Sequence, residues 1–137
     1  MLRKDAKVEL MRRVPLFAAC SKKELAEIAT LADELSFDAG RTLIEEGRRG
    51  RECIVLVDGT VEVRKGGRKL PKRGDDSLFG ELALLTDAPR SATVTTTSPV
   101  RALVISDRAF RRLLTTSPSI QTKVLRSLAE RLAPDDL

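Results

Sequence analysis

Apolar positions recur along this chain with two different periods, and the switches between them divide it into three parts. Over residues 5–13 the placement of Val8, Leu10 and Met11 suits a short amphipathic helix. Val14 and Pro15 end it, because the residue before a proline is pushed out of helical backbone. Ser21 and Glu24 then form a capping-box pair, with Cys20 and Leu25 placed as a hydrophobic staple, and Leu25, Ile28, Ala29 and Ala32 share one face. A second helix is predicted from there to about Asp33. From Leu35 the period shortens. Strand candidates at 35–37, 42–45, 52–57, 60–65 and 68–71 are punctuated by glycines at 40, 47, 50, 59, 66 and 67. Val61 and Val63 alternate with polar neighbours, as in a half-buried strand, whereas 54–57 is apolar throughout, as in a strand covered on both faces. Gly66 and Gly67 form a hairpin signal. Beyond a strand at 91–97 and another at 100–105, the helical period returns with Phe110, Leu113 and Leu114. Ser117 and Pro118 read as an N-cap and first-turn pair opening a last helix, whose apolar face is predicted to be Ile120, Val124, Leu125, Leu128 and Leu132, with Pro134 as its limit.

Many short strands with glycine turns suggest a sandwich or jelly-roll architecture in one domain, which 137 residues can supply with a core. The 42% hydrophobic and 33% charged content fits a folded globular chain. No apolar run approaches membrane-spanning length, and the N-terminus lacks an apolar signal region, which places the chain in the cytoplasm. There is no histidine, and Cys20 and Cys53 lack metal-site spacing, so histidine triads and the common zinc sites are excluded. Both cysteines read as buried small hydrophobes, although the sequence leaves a disulfide between them open. A net charge of +5 raises a nucleic-acid reading. The basic residues are dispersed, however, with no tryptophan or tyrosine for base stacking and no helix-turn-helix segment, so direct DNA binding is not expected.

Candidate chemistry concentrates in residues 78–94. Gly80 allows a ligand close to the backbone, and residues 81–85 look like one or two helical turns whose first N–H groups lack internal partners. Pro89 fixes the approach to Arg90, whose guanidinium can grip two phosphate oxygens at once. Glu81 has no place beside a bare anion, but it makes sense as an acceptor for a neighbouring sugar hydroxyl. One loop would then read a ribose and a phosphate that lie close together. Taken singly, Gly80 can be a turn glycine, Glu81 a solvated first-turn residue and Arg90 a surface cation.

The combination of Phe79-Gly80-Glu81-Leu82-Ala83 with Pro89-Arg90-Ser91-Ala92-Thr93 resembles the phosphate-binding cassette of cyclic nucleotide-binding domains. Such domains occur in catabolite-activator-type regulators, protein kinase A regulatory subunits and cyclic-nucleotide-gated channels. Gly47, the run from Cys53 to Gly59 and Val61 to Val63 are similar to the glycine, strand, tight turn and strand of the same family. The resemblance implies an α+β fold, a mainly antiparallel β-roll or jelly-roll-like barrel (35–105) between N-terminal helices (1–34) and a C-terminal hinge and lid (106–137). It assigns Arg90 to the phosphate oxygens, Glu81 to the ribose 2′-hydroxyl, backbone amides of Gly80, Leu82 and Ala83 to the anion, and Ser91 as a further hydroxyl. Val63 and Leu70 are the candidates for the base-contacting wall, with ordinary core as their other reading, and Arg131, with Leu132 for packing, for a contact from the last helix, where both can equally be ordinary helix residues.

Two positions depart from the family pattern. Asp76 stands where a second glycine is common, and Pro71 marks the preceding strand as an edge. The implied function is regulatory sensing of cyclic AMP, ahead of cyclic GMP, without a cofactor or chemistry of its own. The sensor would act on a protein effector in trans or in a longer chain, and the leucine-lined last helix offers a weak homodimer seam. The alternatives are a ligand-free member of the fold serving as an interaction scaffold, a basic nucleic-acid-binding protein and, last, a phosphodiester hydrolase.

Overall fold

The computed structural model of the protein describes residues 1–71 and 78–132. Helix α1 spans Lys4–Arg12 and buries Val8 and Met11, and the chain then passes into a 3-10 turn at Pro15–Phe17. Helix α2 spans Lys22–Ala29 and opens on the expected capping box. The Glu24 N–H donates to Ser21 Oγ at 3.2 Å, and the Ser21 N–H donates to Glu24 Oε1 at 2.7 Å. The helix stops at Ala29 rather than near Asp33. Thr30 turns its hydroxyl back onto the Glu27 carbonyl, and Asp33 is already paired with Val104 across a sheet.

Eight strands follow: β1 Asp33–Phe37, β2 Thr42–Ile44, β3 Glu52–Asp58, β4 Val61–Lys65, β5 Arg68–Lys69, β6 Leu78–Phe79, β7 Thr93–Thr96 and β8 Val100–Ser106. They form two antiparallel four-stranded sheets, ordered β1-β8-β3-β6 and β2-β7-β4-β5, so the roll is two sheets and not a closed barrel. At the β4–β5 hairpin, Gly66 and Gly67 take φ of +59° and +79° between the pairs Lys65↔Arg68 and Arg64↔Lys69, the two positive dihedrals that a two-residue type I′ loop needs. β5 is an edge strand, as Pro71 just beyond it implies.

The all-apolar run of β3 is explained by its position. Ile54 and Leu56 join Ala102, Val104, Ile44 and Val94 in a core between the sheets, while Cys53, Val55, Leu103 and Ile105 face a second core built with the helices. Both cysteines are buried and free, and burial pushes the Cys20 thiol up to about 11 and the Cys53 thiol up to about 12.

Helix α3, Asp107–Thr116, is capped by Ser106 and buries Phe110, whose ring centroid lies 5.3 Å from that of Phe17. Ser117 breaks the helix with φ −132° and ψ 87°, and α4 runs Pro118–Leu132. Its buried positions are Ile120, Val124 and Ser127, with Leu128 packed at the margin. Leu125 and Leu132 are 61% and 68% exposed, which corrects the predicted apolar face. Leu125 lies about 100° around the helix from Val124, on the side that no neighbouring element covers among the described residues. No helix among the described residues is long and apolar enough to cross a membrane.

Candidate functional site

Strand β6 pairs with β3 and delivers the chain to Gly80, which turns it at φ +77° into the 3-10 turn Glu81–Leu84. Only glycine suits this position. A side chain would be strained by the dihedral, and its Cβ would press on the Arg90 guanidinium and lie 2.9 Å from the Glu52 carbonyl oxygen. Leu84 is fully buried, Ala83 is buried, and Leu82 is exposed. The Ala83 N–H, expected to face a ligand, is used internally, donating to the Gly80 carbonyl at 3.1 Å. The N–H groups of Glu81 and Leu82 have no backbone acceptor among the described residues.

The loop that follows is fastened to residues 47–50. The Arg90 N–H donates to the Arg48 carbonyl at 2.7 Å, the Gly47 N–H donates to the Arg90 carbonyl at 2.9 Å, and the Gly50 N–H donates to the Ala88 carbonyl at 3.4 Å. Backbone alone thus sets where the Arg90 side chain starts. Its Nη2 donates to the Glu52 carbonyl at 2.7 Å, and among the described residues the guanidinium has no carboxylate in ion-pair contact. Burial holds its pKa below the usual guanidinium value, opposed by the nearby Glu52. A half-buried cation whose hydrogen-bond partner among the described residues is a neutral carbonyl favours an anion.

Arg90, Gly80 and Ser91 line a cavity of about 160 Å³ whose remaining wall is Ile44, Val63, Leu78, Phe79, Ala92 and Val94. Sites for small organic ligands usually measure about 300–1,000 Å³, so the cavity bounded by these described residues accounts for part of a nucleotide site. Of the two candidates for the base-contacting wall, Val63 borders this cavity and Leu70 is not among the described residues that line it. The Leu70 N–H donates to the Val63 carbonyl at 2.8 Å. Arg90 also borders a second, more polar hollow of about 270 Å³ with Arg48, Arg49, Glu45 and Glu52.

Glu81 leaves Gly80 in another direction. Its Oε2 accepts from the Leu16 N–H at 2.9 Å, and its Oε1 is paired with Arg131 of α4. The expected contact between the cassette glutamate and Arg131 is present, while Leu132 beside it is exposed. Both Glu81 and Arg90 act on Cys53 between them, the carboxylate raising and the guanidinium lowering its pKa.

Sequence reasoning missed two contributors from outside the cassette: Ile44 on the wall, and the Leu16 N–H that holds Glu81. The inward alternation of β2 could have flagged Ile44. A backbone donor 65 residues away leaves no signal at all. The departure at Asp76, with its neighbours 72–77, lies outside the described residues. No group of three or more His, Cys, Asp or Glu among the described residues is arranged to hold a metal ion.

A family model described as the cyclic nucleotide-binding domain matches residues 34–117. Over 112 residues, 74% of this chain, the sequence is 42% identical to a cAMP-dependent protein kinase regulatory subunit of Mycosarcoma maydis, and it spans 21% of that protein. It is 28% identical over 132 residues, 90% of this chain, to a CRP-like cAMP-activated global transcriptional regulator of Mycobacterium tuberculosis, and spans 58% of it. The fold superposes with a TM-score of 0.82 and 32% identity on the N-terminal domain of a transcriptional regulator from Streptomyces coelicolor A3(2), covering 93% of this chain and 94% of that one. With a cassette of matching residues built around Gly80 and Arg90, the chain belongs to the cyclic nucleotide-binding domain family.

Proposed function

We propose that this chain is a sensor of cyclic AMP, ahead of cyclic GMP, that binds its ligand without chemistry and reports occupancy through the position of α4. The observation that supports it most is the Arg90 guanidinium: half-buried, fixed by backbone, short of a carboxylate among the described residues, and bordering a cavity with a left-handed glycine. The fungal and mycobacterial relatives are both named for cAMP, which favours that base.

In this reading Arg90 takes the phosphate oxygens, with the Leu82 amide and the Ser91 hydroxyl beside it. Glu81 takes the ribose 2′-hydroxyl. A carboxylate has about four acceptor sites, so the ribose competes with Arg131 or shares the group with it, and the Ser117 break lets α4 respond. A ligand shifts such an equilibrium only by preferring one position of the helix. The effector is a cytoplasmic protein partner in trans or a further part of a longer chain.

A thermal-shift titration tests the reading, because a ligand held at about 100 times its Kd stabilises the folded state by about 2.7 kcal/mol. Cyclic AMP should raise Tm in a saturating manner, and an unchanged Tm at millimolar cyclic AMP contradicts the proposal. The rival reading, a ligand-free scaffold of the same fold, is favoured by one observation: both Glu81 oxygens are already engaged within the chain.

A further inference from the structure

Two arginines from separate elements converge on one carboxylate three residues ahead of Arg90. Arg49, in the β2–β3 connection, donates from Nη2 to Asp87 Oδ1 at 2.5 Å. Arg111, in α3, reaches the same oxygen from its Nη2 at 3.4 Å, and its Nε donates to the Leu84 carbonyl at 3.0 Å. It also lies 4.0 Å from Asp107 at the start of its own helix. One side chain of α3 therefore holds both the last residue of the 3-10 turn and the loop that leads to Arg90. The two cations, Arg49 first, keep the Asp87 carboxyl below its ordinary range.

The mechanical consequence follows from the fastenings on either side. Toward Arg90, the loop is locked to residues 47–50 by main-chain hydrogen bonds. Toward the C-terminus, α3 is continuous up to Ser117, where the backbone leaves the helical region before α4 begins. A shift of the cassette on anion binding that pulls on Leu84 and Asp87 is thus delivered to α3 as a rigid body and emerges at the break.

We propose that Arg111 is the positioning residue that couples the anion-binding loop to α3, with Asp87 as the shared junction and Arg49 as its fixed side. The inference rests on the sensing function proposed above. These ion pairs are exposed and contribute little to stability on their own. Loss of Arg111 should accordingly leave folding and ligand contacts nearly intact while uncoupling the last helix.

The experiment is hydrogen–deuterium exchange of α4 amides in the full chain, with and without saturating cyclic AMP, alongside calorimetry. For the wild type, cyclic AMP should change α4 exchange at least about fivefold, the lower end of typical site-to-site couplings. For Arg111→Ala, affinity should stay within about threefold of wild type, and the α4 response should be lost. Arg111→Lys, which keeps the charge but not the fork that reaches Leu84 and Asp87 together, should restore it only in part. Asp87→Asn serves as a second disruption from the other side of the junction and should weaken the response in the same way. A full α4 response in both Arg111→Ala and Asp87→Asn overturns the inference while leaving cyclic AMP sensing intact. A wild type silent to cyclic AMP in both measurements overturns the sensing function, and the inference with it.

Discussion

Glu24 and Glu81 fasten the two ends of α4 in the same chemical way and differ in what surrounds them. Each accepts a backbone N–H from the N-terminal helical segment, Ser21 for one and Leu16 for the other, and each takes a cation from α4, Lys123 near its start and Arg131 near its end. Glu24 is 7% exposed and also accepts from the Ser119 hydroxyl, so its anchorage is dense and enclosed. Hydrogen bonds from Lys123, Ser119 and the Ser21 N–H bring its carboxyl down to about 2. Glu81 instead follows the left-handed Gly80, one residue from the wall of the Arg90 cavity. The contrast gives α4 one end that is fixed by structure and one end whose partner sits where, under the proposed function, a ligand would compete for it.

The sharpest way to break that contrast is at the fixed end. Glu24→Ala leaves Lys123 and Ser119 without their acceptor and should lower stability by about 2–3 kcal/mol, less than for a fully enclosed pair because Lys123 is partly exposed. Urea denaturation checks it. The effect should also appear as a pH dependence. A carboxyl held at about 2 against an ordinary 4.5 stabilises the fold above the ordinary value, and that contribution is lost as pH falls from about 4.5 toward about 2. The urea midpoint of the wild type should fall across this window, and that of Glu24→Ala should fall less.

At the switchable end the expectation reverses. Glu81→Gln keeps a neutral acceptor for the Leu16 N–H and should lower the stability of the free protein by about 1 kcal/mol, less than Glu24→Ala. It should nevertheless weaken cyclic AMP binding about tenfold or more, the worth of one hydrogen bond to a charged acceptor. If Glu81→Gln destabilises the free protein as much as Glu24→Ala does, the two ends are equivalent and the comparison fails. Smallest of all, Leu125→Ser on the uncovered side of α4 should alter Tm by no more than the equivalent of about 0.5 kcal/mol.

Much of this arrangement was legible in the sequence wherever a local rule decided the outcome. The capping box at Ser21, the Gly66–Gly67 hairpin, the two-faced β3 and the Ser117–Pro118 break each follow from a few adjacent residues, and the structure contains each of them. The cassette was legible because Gly80 and Arg90 belong to linked motifs at a fixed separation. Contacts that depend on tertiary packing were not. The overlong α2 reflects apolar spacing that continues through Ala32 although the sheet claims Asp33. The misplaced Leu125 and Leu132 reflect a helix with neighbours on one side among the described residues, where a leucine can face outward at no cost that the pattern reveals. Glu24 reads locally as a cap, and nothing near it announces a lysine 99 positions away.

The central claim is that Arg90 is held ready for a phosphate, and calorimetry with cyclic AMP on the wild type and Arg90→Ala measures it most directly. Removing one member of a desolvated charge pair typically costs about 2–5 kcal/mol, so the wild type should bind and the variant should bind at least about 30-fold more weakly. Equal affinity in the two proteins contradicts the claim.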